Sequence, residues 1–174
     1  MRALVWIVED TWEATVAEAA AFLPADAQVT LLHVAPAEVE ALAAGARHGL
    51  LGRRPPGPPP PAPLRAISDE AAEALLVEAR DRLGRDARVE RRRGRVEREV
   101  VAAAEGADLL VFARDGDRGR LGPHSLGPAA RFVVDHAPCR VLLVWADAPP
   151  ALETIPPPPH HHTPRHDPPP GGGA

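Results

Sequence analysis

The chain has 174 residues, of which 45% are hydrophobic and 3% aromatic, and its formal net charge is −4 at pH 7. This length suits one compact domain with a core of Ala, Val and Leu, and it excludes two domains of ordinary size. The slight negative charge disfavours duplex nucleic acid as a partner, since there is no overall positive field to attract phosphates.

The first third of the chain alternates between strand and helix patterns. Residues 3–8 (ALVWIV) form a short apolar run, which predicts a buried strand of a parallel sheet. Residues 12–23 carry apolar side chains at helical spacing and stop at Pro24, which predicts a helix. Residues 29–34 (VTLLHV) predict a second buried strand. The proline-rich residues 36–66 predict an extended excursion, because repeated prolines are incompatible with a helix or a central strand.

The alternation continues through the middle of the chain. Residues 68–83 begin with Ser68, a favourable N-cap, and predict a second helix. Residues 88–92 (RVERR) are short and charged, which suits a strand only at the edge of a sheet. Residues 95–105 predict a third helix, and residues 108–112 (DLLVF) predict another buried strand.

The last predicted elements are a helix, a strand and a tail. Residues 128–136 predict a helix, and residues 141–145 (VLLVW) predict the fifth strand. From Asp147 onward the chain is nearly all Pro, Gly, His and Ala, so we expect a domain of residues 1–146 and a disordered tail of residues 147–174. Alternating strands and helices are typical of an open parallel α/β sheet with right-handed crossovers.

The amino terminus does not have the pattern of an export signal. Its apolar run covers only residues 3–8, and the acidic Glu9 and Asp10 follow directly. Because signal peptides and membrane-spanning helices need longer apolar segments, we expect a cytoplasmic protein that does not associate with membranes.

Four stretches of the sequence resemble the universal stress protein family, and together they cover residues 1–145. They are residues 4–17 (LVWIVEDTWEATVA), 29–36 (VTLLHVAP), 94–112 (GRVEREVVAAAEGADLLVF) and 127–145 (GPAARFVVDHAPCRVLLVW). The resemblance implies an open five-stranded parallel sheet of Rossmann-like type, with strand order 3-2-1-4-5 and helices on both faces. It also implies a homodimer in which residues 141–145 of two subunits pair.

The implied strand order reverses between the first and fourth strands, and open α/β sheets bind ligands beyond the carboxyl ends of the strands at such a point. ATP-binding members of the family carry a Gly-x2-Gly-x9-Gly-Ser/Thr loop after the fourth strand. In this sequence Ala113 takes the first glycine position and Gly116 the second. Gly127-Pro128 stands where Gly-Ser is expected, after ten intervening residues rather than nine. Pro128 removes a backbone N–H and a hydroxyl that would hold a phosphate, and Ser125 offers a substitute hydroxyl.

On the adenine side, Glu9 aligns with an Asp of the family, and Val34 matches the position whose backbone meets adenine in ATP-binding relatives. The loop also contains Asp115 and Asp117, which add negative charge near the phosphate position, alongside three arginines. The candidate residues for binding ATP or another adenine nucleotide are Glu9, Asp10, Thr11, Val34, Ala113, Gly116, Gly119, Ser125, Gly127, Pro128 and Ala129.

Three other features favour structural over chemical roles. The histidines at 160–162 and His166 lack the fixed geometry of a metal site, so no metal is expected. Residues 91–95 (RRRGR) have no interleaved aromatic residues, which leaves nucleic-acid binding unsupported. The single cysteine, Cys139, precedes a buried strand and has no sequence neighbour that would activate a thiol.

Three functions remain open from the sequence. The first is a regulatory module of the universal stress protein type that binds an adenine nucleotide and acts in a stress response. The second is a nucleotide-independent interaction module with a vestigial site, whose loop charges and proline-rich tail recruit a protein partner. The third is a weak nucleotide hydrolase, which is least favoured because the sequence carries no catalytic motif that would make it an enzyme.

Overall fold

The computed structural model describes residues 1–37 and 62–157, and within them five strands form one sheet of order β3-β2-β1-β4-β5. All four neighbouring pairs are parallel, which confirms the predicted fold. The strands are β1 (Arg2–Trp6), β2 (Gln28–Pro36), β3 (Arg88–Gly94), β4 (Leu109–Ala113) and β5 (Arg140–Val144). Their ends lie within two residues of the predicted ones.

Helices cover both faces of the sheet because side chains alternate along each strand. The helices are α1 (Trp12–Phe22), α2 (Ala62–Leu83), α3 (Val96–Ala103) and α4 (Pro128–His136). Val5 and Val111 point to the face that packs against α1 and α2, whereas Leu4 and Leu110 point to the face that packs against α3 and α4. Burial of each such Val or Leu side chain contributes about 1.5–3 kcal/mol, so the two layers hold the central strands in place.

Helix α2 begins at Ala62, six residues before the predicted start. Pro63 lies in its first turn, where proline is tolerated because its missing N–H has no helical partner. The predicted excursion over residues 36–66 is therefore wrong at its two ends, since Pro36 closes β2 and residues 62–66 are helical. The rest of that excursion lies outside the described residues.

Residues 147–157, here called the strap, were predicted to be disordered but contain a 3-10 helix at Leu152–Thr154. The Thr154 hydroxyl accepts a hydrogen bond from the Leu121 N–H at 3.0 Å and donates one to the Ala151 carbonyl at 2.6 Å. The bond to Leu121 holds the strap against the loop after β4, and the composition of residues 147–157 did not predict it. Residues 158–174, including the tail histidines, lie outside the described residues.

Candidate functional site

The turns after β1 and β4 meet at the carboxyl edge of the sheet. The two strands are neighbours, with Val5 paired to Val111, and both run in the same direction. The Arg118 guanidinium joins the turns, since Nη2 donates to the Asp10 carbonyl oxygen at 3.3 Å. This is the crevice that the strand order predicts for a ligand.

The turn after β1 supplies three of the candidate residues. Glu9 and Asp10 are exposed, while Thr11 is buried and precedes α1. The Thr11 carbonyl accepts two hydrogen bonds from Thr15, one from its N–H at 3.2 Å and one from the Thr15 hydroxyl at 3.0 Å. The Thr11 Oγ1 atom is itself buried and makes no hydrogen bond within the described part of the protein.

The loop after β4, residues 114–127, folds back on itself as two paired arms. The Gly116 N–H donates to the Ser125 carbonyl at 3.1 Å, and the Asp117 N–H donates to the His124 carbonyl at 2.8 Å. A Cβ on Gly116 would lie 2.3 Å from the His124 carbonyl oxygen, so only glycine fits. Gly116 therefore serves the close approach of the two arms, whereas the sequence had suggested an approach of backbone to phosphate.

The carboxylate of Asp115 lies at the amino end of α4. Its Oδ1 accepts the Gly127 N–H at 2.7 Å, and Gly127 is the N-cap residue of that helix. A Cβ on Gly127 would lie 2.9 Å from Oδ2 and 3.0 Å from Oδ1 of Asp115. The carboxylate therefore fills the space beside Gly127, at the position where the resemblance to ATP-binding family members implies a phosphate.

Ser125 is buried, and its hydroxyl is already used within the loop. It donates to the Gly122 carbonyl at 2.7 Å and accepts from Arg114 Nη1 at 2.5 Å. The Arg114 guanidinium also lies over the Trp145 ring, 4.7 Å from its centroid. The hydroxyl suggested as a substitute phosphate ligand thus holds the loop to the end of β5.

A model of the universal stress protein family matches residues 9–144 of the chain. The chain belongs to the universal stress protein family. No functionally curated protein matches the sequence.

Solved structures of universal stress proteins have the same fold at low sequence identity. One from Lactobacillus plantarum has 20% identity and a TM-score of 0.51, over 83% of this chain and 97% of that chain. Another, in complex with cAMP, has 16% identity and a TM-score of 0.57, over 84% and 98% of the two chains. A third, from Arabidopsis thaliana with AMP bound, has 15% identity and a TM-score of 0.52, over 85% and 93%.

The remaining candidate residues of this universal stress protein lie around the same crevice edge but differ in exposure. Ala113 ends β4 and is buried, and Val34 is buried in β2, next to β1 in the sheet. Pro128 opens α4, and Ala129 packs partly into the core. Gly119 is exposed, and its N–H donates to Asp117 Oδ1 at 2.9 Å.

All three loop arginines of this universal stress protein have partners. Arg114 is held by Ser125 and Trp145, and Arg118 also lies 3.2 Å from the Asp147 carboxylate. Arg120 Nε lies 3.2 Å from the Asp117 carboxylate. The Gly119 N–H, and next the Arg120 guanidinium, hold the pKa of Asp117 below its usual range. This carboxylate therefore stays ionised at neutral pH, and its stabilising contacts are lost only as the pH falls through that lowered value.

The two sides of the crevice differ in the polar groups that they present. In the turn after β1, the exposed Glu9 and the buried, unpartnered Thr11 hydroxyl are polar groups beside the strand-order reversal. At the amino end of α4, the Gly127 N–H is taken by Asp115, and Pro128 has no N–H to offer. Gly127 and Pro128 therefore present no free N–H to an anion.

Outside the crevice of this universal stress protein, charged side chains of β3 form ion pairs. At the β3 edge, Arg91 pairs with Glu73 and Arg92 pairs with Glu90.

The Cys139 thiol has a raised pKa, first because it is partly buried and second because of the negative charge of Asp108. The thiolate is therefore scarce at neutral pH. In the described ranges no group of three or more His, Cys, Asp or Glu is placed to hold a metal ion, and no helix there could cross a membrane.

An open depression of about 610 Å³ lies at the opposite, amino-terminal edge of the sheet. Arg85 lines it, but its guanidinium donates to backbone carbonyls of the segment after α1, including Pro24 at 2.7 Å and Ala27 at 3.2 Å. These bonds give Arg85 a structural role in holding that segment. The crevice at the carboxyl edge remains the better candidate for a ligand site.

Proposed function

We propose that this universal stress protein is a regulatory module that binds an adenine nucleoside or nucleotide in the crevice between the turns after β1 and β4. The observation that carries the proposal is the juxtaposition of these turns, with Arg118 within 3.3 Å of the Asp10 carbonyl at the strand-order reversal. Ligands of open α/β sheets bind at this position. A cytoplasmic location and a role in a stress response belong to the same proposal.

A buried polar atom in the turn after β1 supports a ligand there. Thr11 Oγ1 has no hydrogen-bond partner among the described residues. Leaving such a group unsatisfied costs about 1–3 kcal/mol, so a small adjustment of this turn around a polar ligand would be favoured.

The solved relatives support the choice of an adenine ligand. One universal stress protein of the same fold is in complex with cAMP, and another has AMP bound. Both ligands share an adenosine moiety. We therefore take adenosine, rather than the phosphates, as the part of the ligand that this chain recognises.

A pure interaction module is the second candidate, and the strap favours it. Leu152 and Ile155 are 73% and 56% exposed, and both lie on the strap beside the loop. Such exposed apolar side chains are suited to contact with another protein. A hydrolase is less favoured, because Glu9 and Asp10 are exposed and therefore poorly placed to act as a desolvated general base.

Titration of adenosine, AMP, cAMP and ATP, followed by melting temperature, tests the proposal. A ligand at a hundredfold its dissociation constant stabilises by about 2.7 kcal/mol, which raises the melting temperature by roughly 5–10 °C for a chain of this size. We expect Glu9→Ala to weaken binding about tenfold, because it removes a charged hydrogen-bonding group from the crevice.

Glu18→Ala is the matched control, because Glu18 is equally acidic and exposed but lies on α1 away from the turn. It should leave the affinity unchanged. If no adenine compound raises the melting temperature at millimolar concentration, the interaction module is favoured instead. Release of phosphate from ATP above a heat-inactivated control would favour the hydrolase.

We also propose that the chain forms a homodimer through β5. Strand β5 lies at the edge of the sheet, where only β4 pairs with it in the described part of the chain. Val141, Leu142 and Leu143 are only partly buried there. An apolar edge strand is prone to pair with another strand, and a second copy of β5 would cover it.

Light scattering coupled to size exclusion tests the dimer at micromolar concentration. We expect a mass twice that of the 18.5 kDa chain. Leu142→Lys should shift the protein to the monomer, because a charged side chain on an edge strand opposes pairing with another strand, whereas Val77→Lys, on the exposed side of α2, should not. A monomeric wild-type chain would contradict this proposal without affecting the proposed ligand site.

A further inference from the structure

The amino end of α4 is occupied by an anion that the chain itself supplies. The Asp115 carboxylate accepts the Gly127 N–H at 2.7 Å and lies against the open face of that glycine. Carboxylates and phosphates are bound by the same backbone N–H groups and the same positive end of a helix. Asp115 therefore takes the place that a phosphate group of a ligand would need.

The fold of the loop holds Asp115 in this position. The two arms pair through backbone hydrogen bonds from Gly116 to Ser125 and from Asp117 to His124. This pairing brings together Asp115 and Gly127, which are twelve positions apart in the sequence. The strap adds a further bond, from the Leu121 N–H to the Thr154 hydroxyl. Displacing Asp115 would require opening a loop that is fixed at several points.

The arginine side chains of the loop are already paired with groups of the protein. The Arg118 side chain pairs with Asp147 and the Asp10 carbonyl, and Arg120 pairs with Asp117. Arg114 is held by the Ser125 hydroxyl and the Trp145 ring. A polyphosphate entering the crevice would meet the fixed carboxylate of Asp115 while the nearby guanidinium groups are already paired.

We infer that Asp115 is a built-in phosphate surrogate that makes the crevice select adenosine, a nucleoside, over ATP. This inference rests on the proposed function, because it concerns the ligand class of the same crevice. Each added phosphate brings negative charge toward the same carboxylate, so affinity should fall in the order adenosine, AMP, ATP.

Isothermal titration of adenosine, AMP and ATP into the full chain tests this order. We expect ATP to bind at least about tenfold more weakly than adenosine to the wild-type protein. In Asp115→Asn, ATP affinity should rise about tenfold, while adenosine affinity changes less than about twofold. Asparagine removes the charge and accepts a weaker hydrogen bond from the Gly127 N–H, so that a phosphate can displace it.

Asp135→Asn is the matched control, because it removes the same charge at an exposed position near the carboxyl end of α4, away from Gly127. It should leave the ratio of ATP to adenosine affinity nearly unchanged. An equal gain in both variants would mean that only the net charge of the protein matters, and it would overturn the inference. Asp115→Ser is a second variant in case the asparagine protein does not fold.

Tripolyphosphate separates this inference from the proposed function, since it carries no adenine. It should raise the melting temperature of Asp115→Asn and leave the wild-type protein unchanged. If adenosine binds neither protein but tripolyphosphate stabilises only the variant, the adenine proposal fails and the phosphate surrogate stands. If ATP binds the wild-type protein as tightly as adenosine does, or if the variant shows no gain with either phosphate probe, the inference is wrong.

Discussion

Replacing Gly116 with alanine is expected to lower the free energy of unfolding by about 2–3 kcal/mol. The new Cβ would lie 2.3 Å from the His124 carbonyl oxygen and 2.8 Å from the Ser125 carbonyl carbon, and both are backbone atoms that cannot rotate away. The two arms of the loop would have to separate, which breaks the bonds from the Gly116 N–H and the Asp117 N–H.

Thermal unfolding measures this effect, and we expect the melting temperature to fall by roughly 5–10 °C. Gly119→Ala is the matched control in the same loop. A Cβ at Gly119 would meet only the Asp117 carboxylate, at 3.3 Å, and that side chain can move. Its effect should stay within about 0.5 kcal/mol, as for an ordinary surface change. Equal melting temperatures for the two variants would show that the arms do not pair as described.

The central strands β1 and β4 could be predicted from the sequence because they are buried on both faces. Such strands are continuous apolar runs, as in β1 and β4, and they need no information from distant parts of the chain. The start of α2 was missed because Ser68 is a good N-cap by composition, whereas the helix continues back to Ala62. Local propensity cannot decide between two acceptable starting points.

The site was predicted only as a location. The sequence placed Glu9, Asp10 and the loop after β4 at one edge, and in the structure Arg118 of that loop contacts the Asp10 carbonyl. It did not predict that Asp115 would reach Gly127, because the contact depends on how the intervening eleven residues fold. Nor did it predict the bond between Thr154 and Leu121, since a stretch rich in proline and alanine was interpreted as tail.

Replacing Phe112 with alanine should have the largest effect of any single change considered, about 3–5 kcal/mol of unfolding free energy. Phe112 lies in β4 and is only 1% exposed, and its ring packs on that of Trp6 in β1, with centroids 5.2 Å apart. Removing the ring leaves a cavity between the sheet and the helices α3 and α4, and the close-packed neighbours can relax only in part.

Phe22→Ala provides the control with the same chemistry. Phe22 ends α1 and is 60% exposed, so its replacement removes little buried surface and should change the unfolding free energy by less than about 0.5 kcal/mol. Denaturant unfolding of the two variants, fitted with a common slope, measures the difference. Because β1 and β4 both depend on the Phe112 ring, its loss should also weaken ligand binding at the crevice, which the Phe22 variant should retain. A Phe112 variant as stable as the Phe22 variant would mean that β1 and β4 do not share this packed layer, and the crevice would then lose its structural basis.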